Sequence, residues 1–130
     1  MFTFSRKERL KSRKIISRLF REGNSFVAYP LRVVWLVLPD DDPEARFFED
    51  SSTQLAISVP RRNFKTAVRR NRLKRRIREA YRIHKHDFYK KLSASDQRVA
   101  LMLVYLPTEE VPYQEIEAGI MKMIRKFPNT

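Results

Sequence analysis

The chain contains no cysteine. That excludes a disulfide framework, a thiolate nucleophile and a cysteine-ligated zinc site, and leaves the fold indifferent to the redox compartment. Long apolar runs are missing too. Charges interrupt every hydrophobic stretch before it reaches spanning length, and Met1 to Lys7 lacks the apolar core of a signal peptide. Neither secretion nor membrane insertion is indicated, and the expected location is cytoplasmic. Acidic residues are scarce, 15 Asp and Glu against 28 Lys and Arg, and they are poorly placed for chemistry. Asp40, Asp41, Asp42, Glu44, Glu49 and Asp50 crowd into one Pro-flanked loop and read as a solvated loop, while His84 and His86 stand two apart on a helix and point in different directions. No metal site and no catalytic acid/base pair is expected.

What is present is positive charge on an ordinary core. With 130 residues and 42% hydrophobic content, residues 1–130 suit one domain. The net charge of +13 predicts affinity for a polyanion. Nearly all of that excess lies between Arg61 and Lys91, where fourteen cations face only Glu79 and Asp87.

Phe2-Thr3-Phe4 alternates like a short extended arm. Ser5-Arg6-Lys7-Glu8 has the form of a capping box, but Ser12 stands directly before Ile15, Ile16, Leu19 and Phe20, which share a helical face, so the first helix is expected to start there and to end at Gly23 as the C′ residue. Residues 25 to 38 read as a short strand and, after Pro30, a long one. Its Leu31, Val33, Trp35 and Val37 face one way and its Arg32, Val34, Leu36 and Leu38 the other, with Trp35 and Tyr29 expected in or near the core. Thr53 to Val59 is the third strand. The apolar run Val99 to Leu106 is a fourth, central and covered on both faces. Tyr113, Ile116, Ile120, Ile124 and Phe127 mark a last amphipathic helix. The order α-β-β-β-α-β-α predicts an α/β (α+β) two-layer sandwich on a four-stranded mixed sheet.

Between the third and fourth strands Leu73, Ile77, Ala80, Tyr81, His84 and Phe88 fall on one third of a helix circumference. Opposite them run Asn71, Arg75, Arg78 and Arg82, flanked by Arg72 and Lys74. Val68 is out of phase, so regular helix is expected from about Arg69. A solvated surface helix interleaves Glu with Lys; this face is almost purely cationic and dominated by arginine, whose planar fork suits phosphate. Long cationic side chains carry little base code, which disfavours sequence-specific DNA recognition.

The run Ala67-Val68-Arg69-Arg70-Asn71-Arg72-Leu73-Lys74-Arg75, continued by Arg78 and Glu79, closely resembles the Arg-Asn-Arg signature of the bacterial ribonuclease P protein component. Leu10-Lys11-Ser12 with Leu19-Phe20 and Gly23, and Ile57-Ser58-Val59-Pro60-Arg61-Arg62, resemble that family's first helix and the exit from its third strand. The resemblance implies a ribosomal S5 domain 2-like topology with a left-handed βαβ crossover, although connections of this kind are generally right-handed. It implies a protein that is itself non-catalytic and completes a ribonucleoprotein endonuclease, whose RNA removes the 5′ leader of precursor tRNA with Mg2+. The partners are then ribonuclease P RNA and precursor tRNA, with no membrane and no obligate protein partner. By the same resemblance Lys65, Arg69, Arg70, Asn71, Arg72, Lys74, Arg75 and Arg78 meet the catalytic RNA, with Arg82 at the end of the stripe, and Arg61 and Arg62 lie near the RNA or the leader. A leader cleft would have Ile16 and Phe20 as its wall and Arg32, Val34, Ala56 and Ser58 as its floor. The alternative is a general or ribosomal RNA-binding protein.

Overall fold

The computed structural model describes residues 6–48, 52–92 and 98–128. The N-terminal arm, Ser5 of the capping box, Glu49 and Asp50 lie outside the described residues. Helix α1 spans Arg13–Glu22, strands β1 and β2 span Asn24–Ala28 and Leu31–Leu38, β3 spans Thr53–Ser58, α2 Ala67–Leu92, β4 Arg98–Tyr105 and α3 Tyr113–Lys126. The expected element order is present. The sheet runs β1-β2-β4-β3, antiparallel except that β3 and β4 lie parallel, so α2 is the crossover between them.

The period of two on β2 and β4 divides the core in two. Leu31, Val33 and Trp35 join Leu101, Leu103 and Tyr105 and the inner faces of α2 and α3 in the larger cluster. Val34, Leu36 and Leu38 join Ala100, Met102 and Ile15 and Leu19 of α1 in the smaller one. Helices α2 and α3 thus form the second layer of the sandwich, and α1 lies across part of the reverse face. β4 is covered on both sides from Val99 to Leu103, in keeping with its unbroken apolar run. Phe88, Phe127 and Trp35 interlock, with Phe127 5.0 Å from each of the other two rings. Tyr29, expected near the core, is instead 54% exposed, because it occupies the turn between β1 and β2 where no layer covers it.

Ser12 caps α1, its hydroxyl accepting from the Ile15 amide at 3.3 Å. Gly23 ends the helix by a different device from the one expected. Its φ of −69° is not left-handed; what it supplies is room, since a Cβ there would stand 2.4 Å from the Leu19 carbonyl oxygen and 3.1 Å from that of Trp35. Gly23→Ala should therefore destabilise the protein by about 1 to 3 kcal/mol, measured as a lower denaturant midpoint at unchanged slope.

Helix α2 starts at Ala67, a half-turn earlier than its apolar phase suggests, because its first turn projects beyond the sheet and leaves Val68 exposed. Lys85, not His84, occupies the buried face. Its ammonium lies 2.7 and 2.8 Å from the two carboxylate oxygens of Glu8, and Tyr89 donates to the same carboxylate at 2.6 Å. The Tyr81 hydroxyl reaches that of Tyr89 at 3.1 Å. Desolvation is the main force raising the pKa of both tyrosines. A raised acid contributes stability that is complete below its unfolded value, about 10 for tyrosine, and is lost as pH climbs past that point. Thermal melts should show this loss above about pH 10, and Tyr89→Phe should reduce it.

Candidate nucleic-acid interface

The basic turn before α2 is fixed from within. Phe64 is fully buried, its ring 5.8 Å from that of Tyr105, and Arg70 donates to the carbonyls of Phe64 and Lys65 at 2.8 and 3.0 Å. Arg70 thus clamps the turn, while Arg61, Arg62 and Lys65 point outward, exposed and without an ion pair among the described residues.

The outer surface of α2 has two flanks. On one, Glu110, from the linker between β4 and α3, gathers Arg69 at 3.0 Å, Arg72 at 3.2 Å and Arg76 at 3.9 Å. The hydrogen bond from Arg69 above all, aided by the charge of Arg72, holds the Glu110 carboxyl below its usual range. Arg82 is likewise taken up by Glu79 at 2.6 Å. On the other flank Asn71, Lys74, Arg75 and Arg78 make no side-chain hydrogen bond or ion pair among the described residues. Arg78 is half-buried there. Burial first, then the nearness of Arg9 and of Arg75, lowers the pKa of its guanidinium. A groove of about 250 Å3 opens between these groups, with Ala56 and Ile57 of β3 beneath and Arg9, Lys11, Lys74 and Arg78 around it. Like charges crowded around one groove favour an anion between them. Periodicity along the chain does not mark Arg9 as part of this flank, because it arrives only through a parallel bridge from residue 9 to Leu55, beside the sheet edge.

The second surface is the uncovered part of the sheet's reverse face. The strand register places Arg32 opposite Val104 and Val104 opposite Ser58; in the adjoining row Val34 and Met102 are buried under α1, at 7% and 5% exposure, and Ala56 stays half-buried. The four floor positions expected from the sequence therefore share one face. Val104, half-buried between Arg32 and Ser58, and Val27, 42% exposed beside Arg32, belong with them. Nothing marks those two valines in the sequence, since apolar side chains on strands read as core. Ile16 packs against the smaller cluster, and Phe20, one turn further along α1, is 67% exposed. An exposed phenyl ring beside an apolar floor that carries one arginine can stack an unpaired base, with the cation near its phosphate.

The acidic loop turns back on α1. Arg18 binds Glu44 at 2.7 Å and Asp42 at 3.0 Å, and Arg98 pairs with Asp40. Phe48 is fully buried under the 3-10 turn Pro43–Phe48, whereas Phe47 remains 37% exposed. His84 bridges α2 to α3 through Glu117 at 2.9 Å. Among the described residues no group of three or more His, Cys, Asp or Glu side chains could hold a metal ion, and no helix is long and apolar enough to cross a membrane.

Comparison with known proteins gives a consistent result. A family model described as Ribonuclease P matches residues 4–127. The ribonuclease P protein component of Porphyromonas gingivalis strain W83 is 36% identical over 123 residues, covering 95% of this chain and 85% of that one. That of Pseudoalteromonas translucida is 29% identical over 126 residues, covering 97% and 78%. Among solved structures, the RNase P protein of Thermotoga maritima superposes with a TM-score of 0.67 at 21% identity over 93% of this chain and 98% of its own. That of Staphylococcus aureus gives 0.66 at 20% identity over 91% and 93%. At such identities the structures speak for the fold.

Proposed function

Since this chain belongs to the bacterial ribonuclease P protein component family, and so to tRNA processing as part of a ribonucleoprotein endonuclease, we propose how its two surfaces divide that work. The flank of α2 without an ion pair among the described residues, Asn71, Lys74, Arg75 and Arg78, with Arg61, Arg62 and Lys65 of the basic turn, docks on ribonuclease P RNA. Arg69, Arg72 and Arg82 join that interface by exchanging Glu110 and Glu79 for phosphate. The reverse face of the sheet, walled by Ile16 and Phe20 and floored by Arg32, Val34, Ala56 and Ser58, takes the single-stranded 5′ leader of precursor tRNA.

The observation that carries this reading is the convergence of Lys74 and Arg78, which have no ion pair among the described residues, on a groove that Arg9 also borders, with Arg75 close enough to act on Arg78. The cationic flank offsets repulsion between two polyanions, and the cleft holds the leader in line, so the protein contributes affinity and geometry. An A-form helix offers such a surface phosphates and 2′-hydroxyls, not base edges, so sequence preference is slight. Bond cleavage and its Mg2+ belong to the RNA subunit, and residues 1–130 act as one RNA-binding domain that is inactive alone. Reconstitution with ribonuclease P RNA at low Mg2+ tests this: the protein should increase both precursor binding and leader removal. No increase in either overturns the proposal.

A further inference from the structure

A second cationic recess lies where no motif or periodicity marks one. Between the 6–14 segment and the Pro43–Phe48 turn is a cavity of about 540 Å3, within the size range of small-ligand sites. Arg6, Lys11, Arg13 and Lys14 line it and make no ion pair among the described residues. Its floor is aromatic. Phe47 offers a partly exposed ring, with the Arg46 guanidinium 5.0 Å from its centroid. The walls are tied together from below by Gln54, whose side-chain amide donates to the Lys7 carbonyl at 3.2 Å and to the Phe47 carbonyl at 3.0 Å. Among the described residues of the acidic loop, Asp42 and Glu44 are taken up by Arg18 and Asp40 by Arg98, and none of the three pairs with a cation of the recess.

The recess is also continuous with the surfaces already described. Arg9 and Lys11 border both it and the groove beside Arg78, and that groove includes Ala56 of the proposed leader cleft. A single strand leaving the cleft over Ala56 therefore passes Lys11 and arrives at Arg13, Lys14 and Phe47. We propose that this recess is a second single-stranded RNA subsite, which holds leader nucleotides 5′ of those in the cleft, with phosphates on Lys11, Arg13 and Lys14 and a base against Phe47. Cations tracking the backbone beside one aromatic platform are what sequence-tolerant single-strand binding needs. The inference rests on the leader reading above.

The test compares holoenzymes reconstituted with ribonuclease P RNA, binding precursor tRNAs whose leaders are about 4 or about 16 nucleotides long. Arg13→Ala with Lys14→Ala, two side chains that line the recess but not the groove beside Arg78, should weaken binding of the long-leader precursor about fivefold or more and leave the short one unchanged. Its long-leader salt slope should drop by about 0.7 for each phosphate that is no longer neutralised. Phe47→Ala, with its denaturation midpoint measured alongside, should weaken long-leader binding in the same way. Equal weakening on both leaders, or poorer assembly with the RNA subunit, would place these side chains elsewhere and overturn the subsite. So would variants that match wild type on the long leader. Wild-type protein that tightens neither precursor would overturn the leader reading itself, and the subsite with it.

Discussion

Glu8→Ala should destabilise the protein by about 3 to 5 kcal/mol, the usual cost of leaving one member of a buried ion pair without its partner. Glu8 and Lys85 are only 9% and 8% exposed, and the carboxylate accepts from both Lys85 and Tyr89, so its removal takes the counter-charge from a buried ammonium and an acceptor from a phenol at once. Removing both charges is a different experiment. Glu8→Leu with Lys85→Met should recover most of the stability, because an apolar pair of similar volume needs no compensation. Equilibrium denaturation of wild type and the two variants measures this, and a single-mutant destabilisation below about 1 kcal/mol would mean that the pair behaves as a surface bridge. The ion pair also has a functional reach. It pins the 6–11 segment to α2, and that segment brings Arg9 beside Arg78 and Lys11 to the border of both grooves. Glu8→Ala should therefore weaken RNA binding as well, even though Glu8 itself repels phosphate.

Arg75→Ala combined with Arg78→Ala should weaken assembly with ribonuclease P RNA about 100-fold at low salt, since two charged hydrogen-bonding groups are removed. The log–log salt slope should flatten by about 0.7 to 0.9 for each phosphate left without its cation. The comparison pair is Arg69→Ala with Arg72→Ala. Those two side chains already share Glu110, so part of what they would gain from phosphate is offset by giving up that carboxylate, and the weakening should be smaller. Equal effects from the two pairs would mean that the ion pairs to Glu110 do not persist in solution. An unchanged slope for Arg75 and Arg78 would remove them from the interface. Filter binding across a salt series reads all of these outcomes.

The contrast between those pairs shows where sequence periodicity stops being informative. Helical phase at 100° per residue separates Leu73, Ile77, Ala80 and Tyr81 from Asn71 and Arg75, and the structure buries the first group and exposes the second. Phase does not reveal that Glu110, from a distant linker, neutralises one flank, nor that Arg70 faces backward into its own turn. It also puts His84 on the face that Lys85 occupies, because a lysine buried on an apolar face is legible only once its partner is known. Likewise a glycine closing a helix reads as freedom at positive φ, whereas Gly23 serves by lacking a Cβ against the Leu19 and Trp35 carbonyls.

The sequence by itself determined the element order, the strand faces, the Ser12 cap, the arginine-rich face and the family, since each of these follows from local periodicity, residue type or a contiguous motif. Tertiary structure alone decided which cations are left for RNA. Charge can be counted along a chain, but its neutralisation is set by distances through space, and Glu8, Glu110, Asp42 and Glu44 take up lysine and arginine side chains in ways that sequence separation hides. What remains without a carboxylate among the described residues is a band from Arg75 and Arg78 past Lys11 to Arg13 and Lys14, and it exists only because the fold lays residues 6–14 along the edge of β3 beside α2.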